Sequence, residues 1–164
     1  SALTAVGLSG AVKTSGAKGV HIVVPLRAAS TVDVAAATRA LAARAEQLDP
    51  SLATTAYVKE DRAGKVFLDS TRAGGATVVA AYSPRICRGV PVSFPLSWDE
   101  LDRTVPGEHT LHTAIEQLDG HDRWAELLPA PQPLPAELID EGHRIPIARV
   151  QAMHAALRRR RTGQ

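Results

Sequence analysis

V-K-T-S-G-A-K-G-V-H-I-V-V-P-L, running from Val12 to Leu26, sets a small basic loop hinged on glycines directly before an apolar strand that opens with a histidine. Gly16 and Gly19 let the main chain turn tightly and bring N–H groups close to a bound anion. Thr14 and Ser15 add hydroxyl donors, and Lys13, Lys18 and His21 add positive charge. His21, Val23 and Pro25 alternate with Ile22, Val24 and Leu26, which predicts a two-faced strand, while Ala11 to Lys13 predicts the end of the strand before it. The loop therefore joins two strands and has the composition of an anion cradle. No G-x-x-x-x-G-K-[ST] occurs, so it is not a Walker A loop.

Outward from this stretch, Ser30 and Asp33 supply an N-cap and an acidic first turn for an alanine-rich helix over Thr31 to Leu48, with Val34, Leu41, Ala45 and Leu48 as its apolar stripe. Asp49-Pro50 ends it, because a residue before proline avoids the helical region. Short β segments are predicted at Thr54 to Val58, Lys65 to Asp69 and Thr77 to Tyr82, parted by the turn formers Arg62-Ala63-Gly64 and Ala73-Gly74-Gly75. Hairpin connections between them predict an antiparallel sheet. Past the proline-punctuated Val90 to Pro95, Ser97 caps a short W-D-E-L helix, and further helices are predicted at Thr110 to Leu118 and Asp122 to Leu128. Pro129 to Pro135 reads as a stiff linker, and Ile147 to Arg161 as an amphipathic helix ending in Arg158-Arg159-Arg160-Arg161. The expected fold class is α+β, a largely antiparallel sheet flanked by helices. Its expected divisions are residues 1–128, a Pro-rich linker at 129–136 and a basic helical tail at 137–164.

A chain of 164 residues, 45% hydrophobic, suffices for one domain with a real core. Cys87 is the single cysteine, which excludes an intrachain disulfide and a cysteine-built zinc site and suits a reducing cytoplasm. The opening S-A-L-T-A-V-G-L-S-G lacks the basic segment of a secretory signal, and no apolar run approaches ~18 residues, so no membrane partner is expected. Residues 1–128 carry 13 Lys and Arg against 14 Asp and Glu, a net of −1, whereas residues 129–164 carry 6 against 3, a net of +3. Lys13 to Arg27 nevertheless holds three cations and no acid, enough for a local positive site on a nearly neutral body. The terminal arginines are either a solvated, frayed end or a salt-dependent contact to nucleic-acid phosphates.

K-T-S-G-x-K-G-x-H, then F-L-D at Phe67 to Asp69, A-Y-S-x-R at Ala81 to Arg85 and P-L-S-W-D-E-L at Pro95 to Leu101 occur in that order. Together they resemble the primase-polymerase domain of the bacterial ligase D type, in the archaeo-eukaryotic primase superfamily. The likeness runs from roughly Ala11 to Leu128 and implies a partial primase-type fold, the C-terminal half of such a domain. It implies a template-dependent nucleotidyltransferase, a DNA or RNA primase-polymerase that fills gaps and joins ends. Its expected partners are DNA with gaps or broken ends, nucleoside triphosphates, an ATP-dependent DNA ligase, an end-binding protein and the missing N-terminal half of the domain. The setting it implies is a bacterial cytoplasm, at the nucleoid.

The resemblance also assigns roles. Asp69 falls on a metal-carboxylate motif and would hold Mn²⁺ or Mg²⁺, hard cations that prefer carboxylate oxygens; the plain alternative is a strand-end aspartate in a turn. Ser15 and His21 fall on positions that contact the triphosphate, where donors compensate phosphate charge as pyrophosphate departs. Lys18, Arg62 and Arg85 would complete the nucleotide site, two guanidiniums and an ammonium on one face; otherwise they are solvated turn residues. On this reading the lysine-rich loop and Asp69 share one sheet surface and one metal-polyphosphate guest.

The departures have consequences of their own. The family's first metal motif is D-x-D, and no D-x-D occurs in the chain, so two of three metal carboxylates are missing. Ala81 stands where a proline is usual before Tyr82, and Asp122-Arg123-Trp124-Ala125 replaces D-P-W-A. The chain alone is then expected to be incomplete or inactive as an enzyme. One alternative is a catalytically inactive nucleic-acid-binding or end-bridging module. Another is a metal-free phosphate-binding metabolic domain that ignores DNA.

Overall fold

A computed structural model describes residues 1–74, 78–148, 150 and 153. The chain forms two compact units: one comprises Gly7–Arg27 and Val78–Gln132, the other Ser1–Val6, Ala28–Thr77 and Pro133–Gln164.

The first unit is built on a three-stranded antiparallel sheet of β1 (Ala11–Thr14), β2 (Val20–Val23) and β5 (Pro95–Leu96), with β1 in the middle. All of β1 is buried, so its polar residues as well as its apolar ones must find partners inside. Thr14 does so by donating from its hydroxyl to Val92 O and accepting from Phe94 N, alongside the backbone bond from Thr14 N to Phe94 O. Val12, Val92, Phe94, Leu96 and Ala114 make the core. Each large member contributes about 1.5–3 kcal/mol by leaving water.

Around this core the expected helices appear with the caps the sequence offers. Ser97 opens a 3₁₀ turn at Trp98–Arg103 in a capping box with Glu100. Thr110 caps α2 (Leu111–Leu118) and Asp122 caps α3 (Arg123–Leu127). Trp98 Nε1 donates to Gly10 O, and Gln132 clamps both Ser9 N and Ser9 O. The proline-rich stretch is thus stitched to the sheet, with Leu26 bridging Gln132.

The second unit holds α1 (Thr31–Leu48), β3 (Ala53–Thr54), β4 (Val66–Phe67) and α4 (Ala136–Arg144). Helix α1 has the expected bounds, and Ser30 caps it by accepting from Asp33 N. Its packing face differs from the expected stripe. Ala36, Ala37 and Ala40 are buried, whereas Leu48 is 68% exposed. The reason is α4, whose Gly142 lies against the Ala36 backbone so closely that only small side chains fit between the axes. Arg39 donates from Nε and Nη2 to Gly142 O, and Arg44 grips Glu141 from Nε and Nη2.

Helix α4 falls almost wholly within the 137–164 stretch expected as a helical tail, although no separate helix with these bounds was expected. Of the helix expected over Ile147 to Arg161, most residues, including the four arginines, lie outside the described ones. The β segments also differ from expectation: β3 and β4 are two residues each and pair in parallel, not as a hairpin. Between them the 3₁₀ turn Lys59–Arg62 and a left-handed Ala63 (φ 49°) carry the chain back to the same end. Residues 78–80 form no strand, and residues 75–77 lie outside the description. Among the described residues no helix is long and apolar enough to cross a membrane.

Alanine in place of glycine inside a helix ordinarily stabilises by about 1 kcal/mol. At Gly142 a Cβ would run into the Ala36 carbonyl, and overpacking of about 1–3 kcal/mol decides the sign. Gly142→Ala is therefore expected to lower the urea midpoint of the full chain; an unchanged or higher midpoint would contradict the close approach.

Candidate functional site

The loop between β1 and β2 is closed by its own backbone, with Ser15 N donating to Gly19 O at 2.8 Å. Ser15 is buried, and its hydroxyl oxygen accepts from Ala17 N at 3.2 Å and Gly19 N at 3.3 Å. The serine thus shapes the loop from within. Gly16 sits at φ +64°, and a Cβ there would meet Arg85 Cγ at 2.9 Å, so backbone conformation and space both call for glycine. Arg85 Nε in turn donates to Ser15 O at 3.0 Å. Lys18 stands exposed on the loop.

Behind the loop lies a lysine in an unusual setting. Lys13 faces His21 across the antiparallel pair, is 2% exposed, and directs Nζ to Val79 O and Ser93 Oγ, both at 2.7 Å, and to His21 Nδ1 at 3.2 Å. Ser93 passes its own proton to Thr14 O at 2.7 Å. Burial, and secondarily the Arg85 charge, push the Lys13 ammonium down to about 8 from 10.5. Ser15, His21 and Arg85 are therefore assembled in one unit around Lys13, a residue the sequence marked only as a source of charge.

The same unit joins two of the recognised motifs. Tyr82 Oη donates to Asp122 Oδ1 at 2.7 Å and accepts from Trp124 N at 2.8 Å, although Tyr82 sits at φ 65°. A left-handed tyrosine costs about 1–2 kcal/mol, which two such hydrogen bonds at about 1 kcal/mol each can offset. The turn that carries Arg85 is held by this pair and by the bond from Arg85 N to Pro91 O.

Arg62 and Asp69 belong to the other unit. Arg62 lies over the Phe67 ring, 3.7 Å from its centroid, and donates to Ala56 O and Tyr57 O, bracing the turn before β4. Asp69 follows β4 of the two-stranded sheet, not the sheet that bears His21; the expectation of one shared sheet surface is thereby corrected, since so short a β4 pairs only with β3. Its Oδ1 accepts from Thr71 N and Thr71 Oγ1, and its Oδ2 from Arg72 Nε. Partial burial works to raise this carboxyl, but the Thr71 and Arg72 bonds outweigh it and hold it below the usual carboxylate range. With both oxygens so engaged, and with no group of three or more His, Cys, Asp or Glu among the described residues placed to hold a metal, Asp69 does not fit a divalent-cation site by itself.

The family model described as LigD, primase-polymerase domain, matches residues 1–124, and the chain belongs to that family. It is 35% identical over 130 residues to the multifunctional non-homologous end joining protein LigD of Pseudomonas aeruginosa, covering 76% of this chain and 16% of that protein. The Mycolicibacterium smegmatis protein of the same name is 36% identical over 131 residues, covering 78% and 16%. Among solved structures, the polymerase domain from Mycobacterium tuberculosis ligase D in complex with DNA superposes with a TM-score of 0.68 at 32% identity, covering 77% of this chain and 46% of that one. The α+β fold is that of this polymerase domain, and the chain spans less than half of it.

Because Lys13 is lowered in the folded state, the unfolded chain binds more protons between about pH 8 and 10.5, and stability rises with pH across that window. Urea midpoints of the wild type are expected to climb there relative to those of Lys13→Met. A parallel pH profile for the two proteins would show that the amine is not held as described.

Proposed function

We propose that the chain is the triphosphate-binding half of a template-dependent nucleotidyltransferase, a primase-polymerase acting in gap filling and end joining. The single observation that carries this reading is the Ser15–Gly19 loop, closed on its own amides, bound to Arg85 and backed by the Lys13–His21 pair. A polyphosphate needs several fixed donors at once, and a prefolded loop lowers the ordering cost of meeting it. On this reading His21 donates to a phosphate oxygen, Lys18 neutralises charge from the loop, Ser15 holds the loop in shape, and Arg85 flanks it. Family membership and the DNA in complex with the M. tuberculosis polymerase domain support DNA and nucleoside triphosphates as its ligands. A ligase and an end-binding protein as companions belong to the same reading, supported by the end-joining names of the relatives.

A second reading, a catalytically inactive nucleic-acid-binding module, is favoured by one specific observation. The Asp69 carboxylate accepts from Thr71 Oγ1 and from Arg72 Nε. Nucleotide binding separates neither reading from the other; incorporation does.

Titration of the full chain with a fluorescent nucleoside triphosphate is expected to show binding that weakens about tenfold or more in His21→Ala and in Lys18→Ala, the effect of losing a charge-assisted hydrogen bond. No binding by the wild type would remove both the loop's assignment and the proposal. Incorporation of labelled nucleotide on a gapped duplex with Mn²⁺, abolished by Asp69→Ala, supports the first reading. Incorporation insensitive to that change removes Asp69 from the chemistry, and binding without incorporation favours the second.

A further inference from the structure

We propose that Lys13 is a positioning residue that fixes the tautomer of His21, accepting no proton from the ring and holding its N–H on Nε2. An ammonium has three N–H donors and no acceptor. Among the described residues, Lys13 Nζ has three neighbours within hydrogen-bond distance: Val79 O, Ser93 Oγ and His21 Nδ1. A carbonyl can only accept. Ser93 commits its proton to Thr14 O, so toward Lys13 it also accepts. The third donor therefore meets Nδ1, which must present its lone pair, and a neutral imidazole with a lone pair on Nδ1 carries its proton on Nε2.

The arrangement is rigid. Lys13 and His21 are register partners on adjacent strands, and β1 is the central strand, paired on both sides. The lysine stem is buried, so the ammonium has little freedom to turn away. At about pH 7 it keeps its proton, since burial and Arg85 bring it down only to about 8. The positive charge that accompanies His21 is thus supplied from behind by Lys13, and the ring itself serves as a neutral donor.

The use of that donor rests on the reading of His21 as a phosphate ligand given above; the tautomer itself does not. An Nε2–H is what a phosphate oxygen takes, whereas the other tautomer would turn a lone pair toward it.

The test is imidazole ¹⁵N NMR on the full chain, with the His21 signals assigned by their loss in His21→Gln, combined with triphosphate titration. The wild type at about pH 7 is expected to show His21 Nδ1 unprotonated and Nε2 protonated, with no nucleotide present. In Lys13→Met the two tautomers should mix, while Lys13→Arg, which keeps a donor to the ring, should restore the wild-type pattern in part. A protonated Nδ1 in the wild type overturns the proposal without any variant, so a substitution that fails to fold leaves it falsifiable. An unchanged His21 tautomer in a folded Lys13→Met overturns it as well. In the titration, Lys13→Met should weaken binding about as much as His21→Ala, with no added loss in the double variant. A tautomer that shifts while triphosphate affinity stays put upholds the role of Lys13 and instead removes His21 from the phosphate site.

Discussion

A positively charged amine sealed inside a β-sheet is the constraint around which the first unit is arranged. An unpaired buried ammonium would cost several kcal/mol, so Lys13 at the centre of β1 demands acceptors on every side it faces. The chain provides them from three separate segments: a backbone carbonyl at Val79, the hydroxyl of Ser93 and the ring of His21. Ser93 then has to donate elsewhere, and does so to Thr14 O, while Thr14 answers with bonds to Val92 O and Phe94 N. Satisfying one charge therefore laces β1 to β2 and to the segment leading into β5. The anion loop hangs from the ends of that lacing, with Arg85 drawn against Ser15 O.

The second unit is organised by a different constraint, the absence of side-chain volume. Alanines at positions 36, 37 and 40 and the glycine at 142 let two helix backbones approach until the Arg39 guanidinium reaches a main-chain carbonyl of the neighbouring helix. Dispersion between backbones acts there beside the fully buried side chain of Leu138. Arg44 with Glu141 and His143 with Asp33 flank the contact, where exposure to water leaves them to fix register more than to add stability.

Much of this was legible in the sequence, for identifiable reasons. Ser30, Thr110 and Asp122 are capping residues placed before periodic segments, and the helices they open begin where expected. The glycines of the loop announced a turn that needs positive φ, found at Gly16. Helix α4 lies in the stretch expected as a helical tail, with Glu137 early and His143 and Arg144 late as its polarity cues, but its bounds were not legible because its packing partner α1 lies about a hundred residues earlier. The parallel pairing of β3 with β4 was hidden because two-residue strands leave no alternation to read. The Lys13–His21 pair could have been found: closing a hairpin on Ser15 and Gly19 puts Thr14 opposite Val20 and Lys13 opposite His21. What the sequence could not supply was the burial of Lys13, because the segments that cover it lie some 65 to 80 residues further on.

The loop and Asp69 are held by separate sets of hydrogen bonds. Among the described residues, the bonds from Ser15 N to Gly19 O, from Arg85 Nε to Ser15 O and from Lys13 Nζ to His21 Nδ1 are made within one unit. The Asp69 carboxylate is likewise satisfied where it stands, by Thr71 and Arg72. What holds Lys13 against His21 is the need of a buried ammonium for acceptors, and that need is one of folding and not of catalysis.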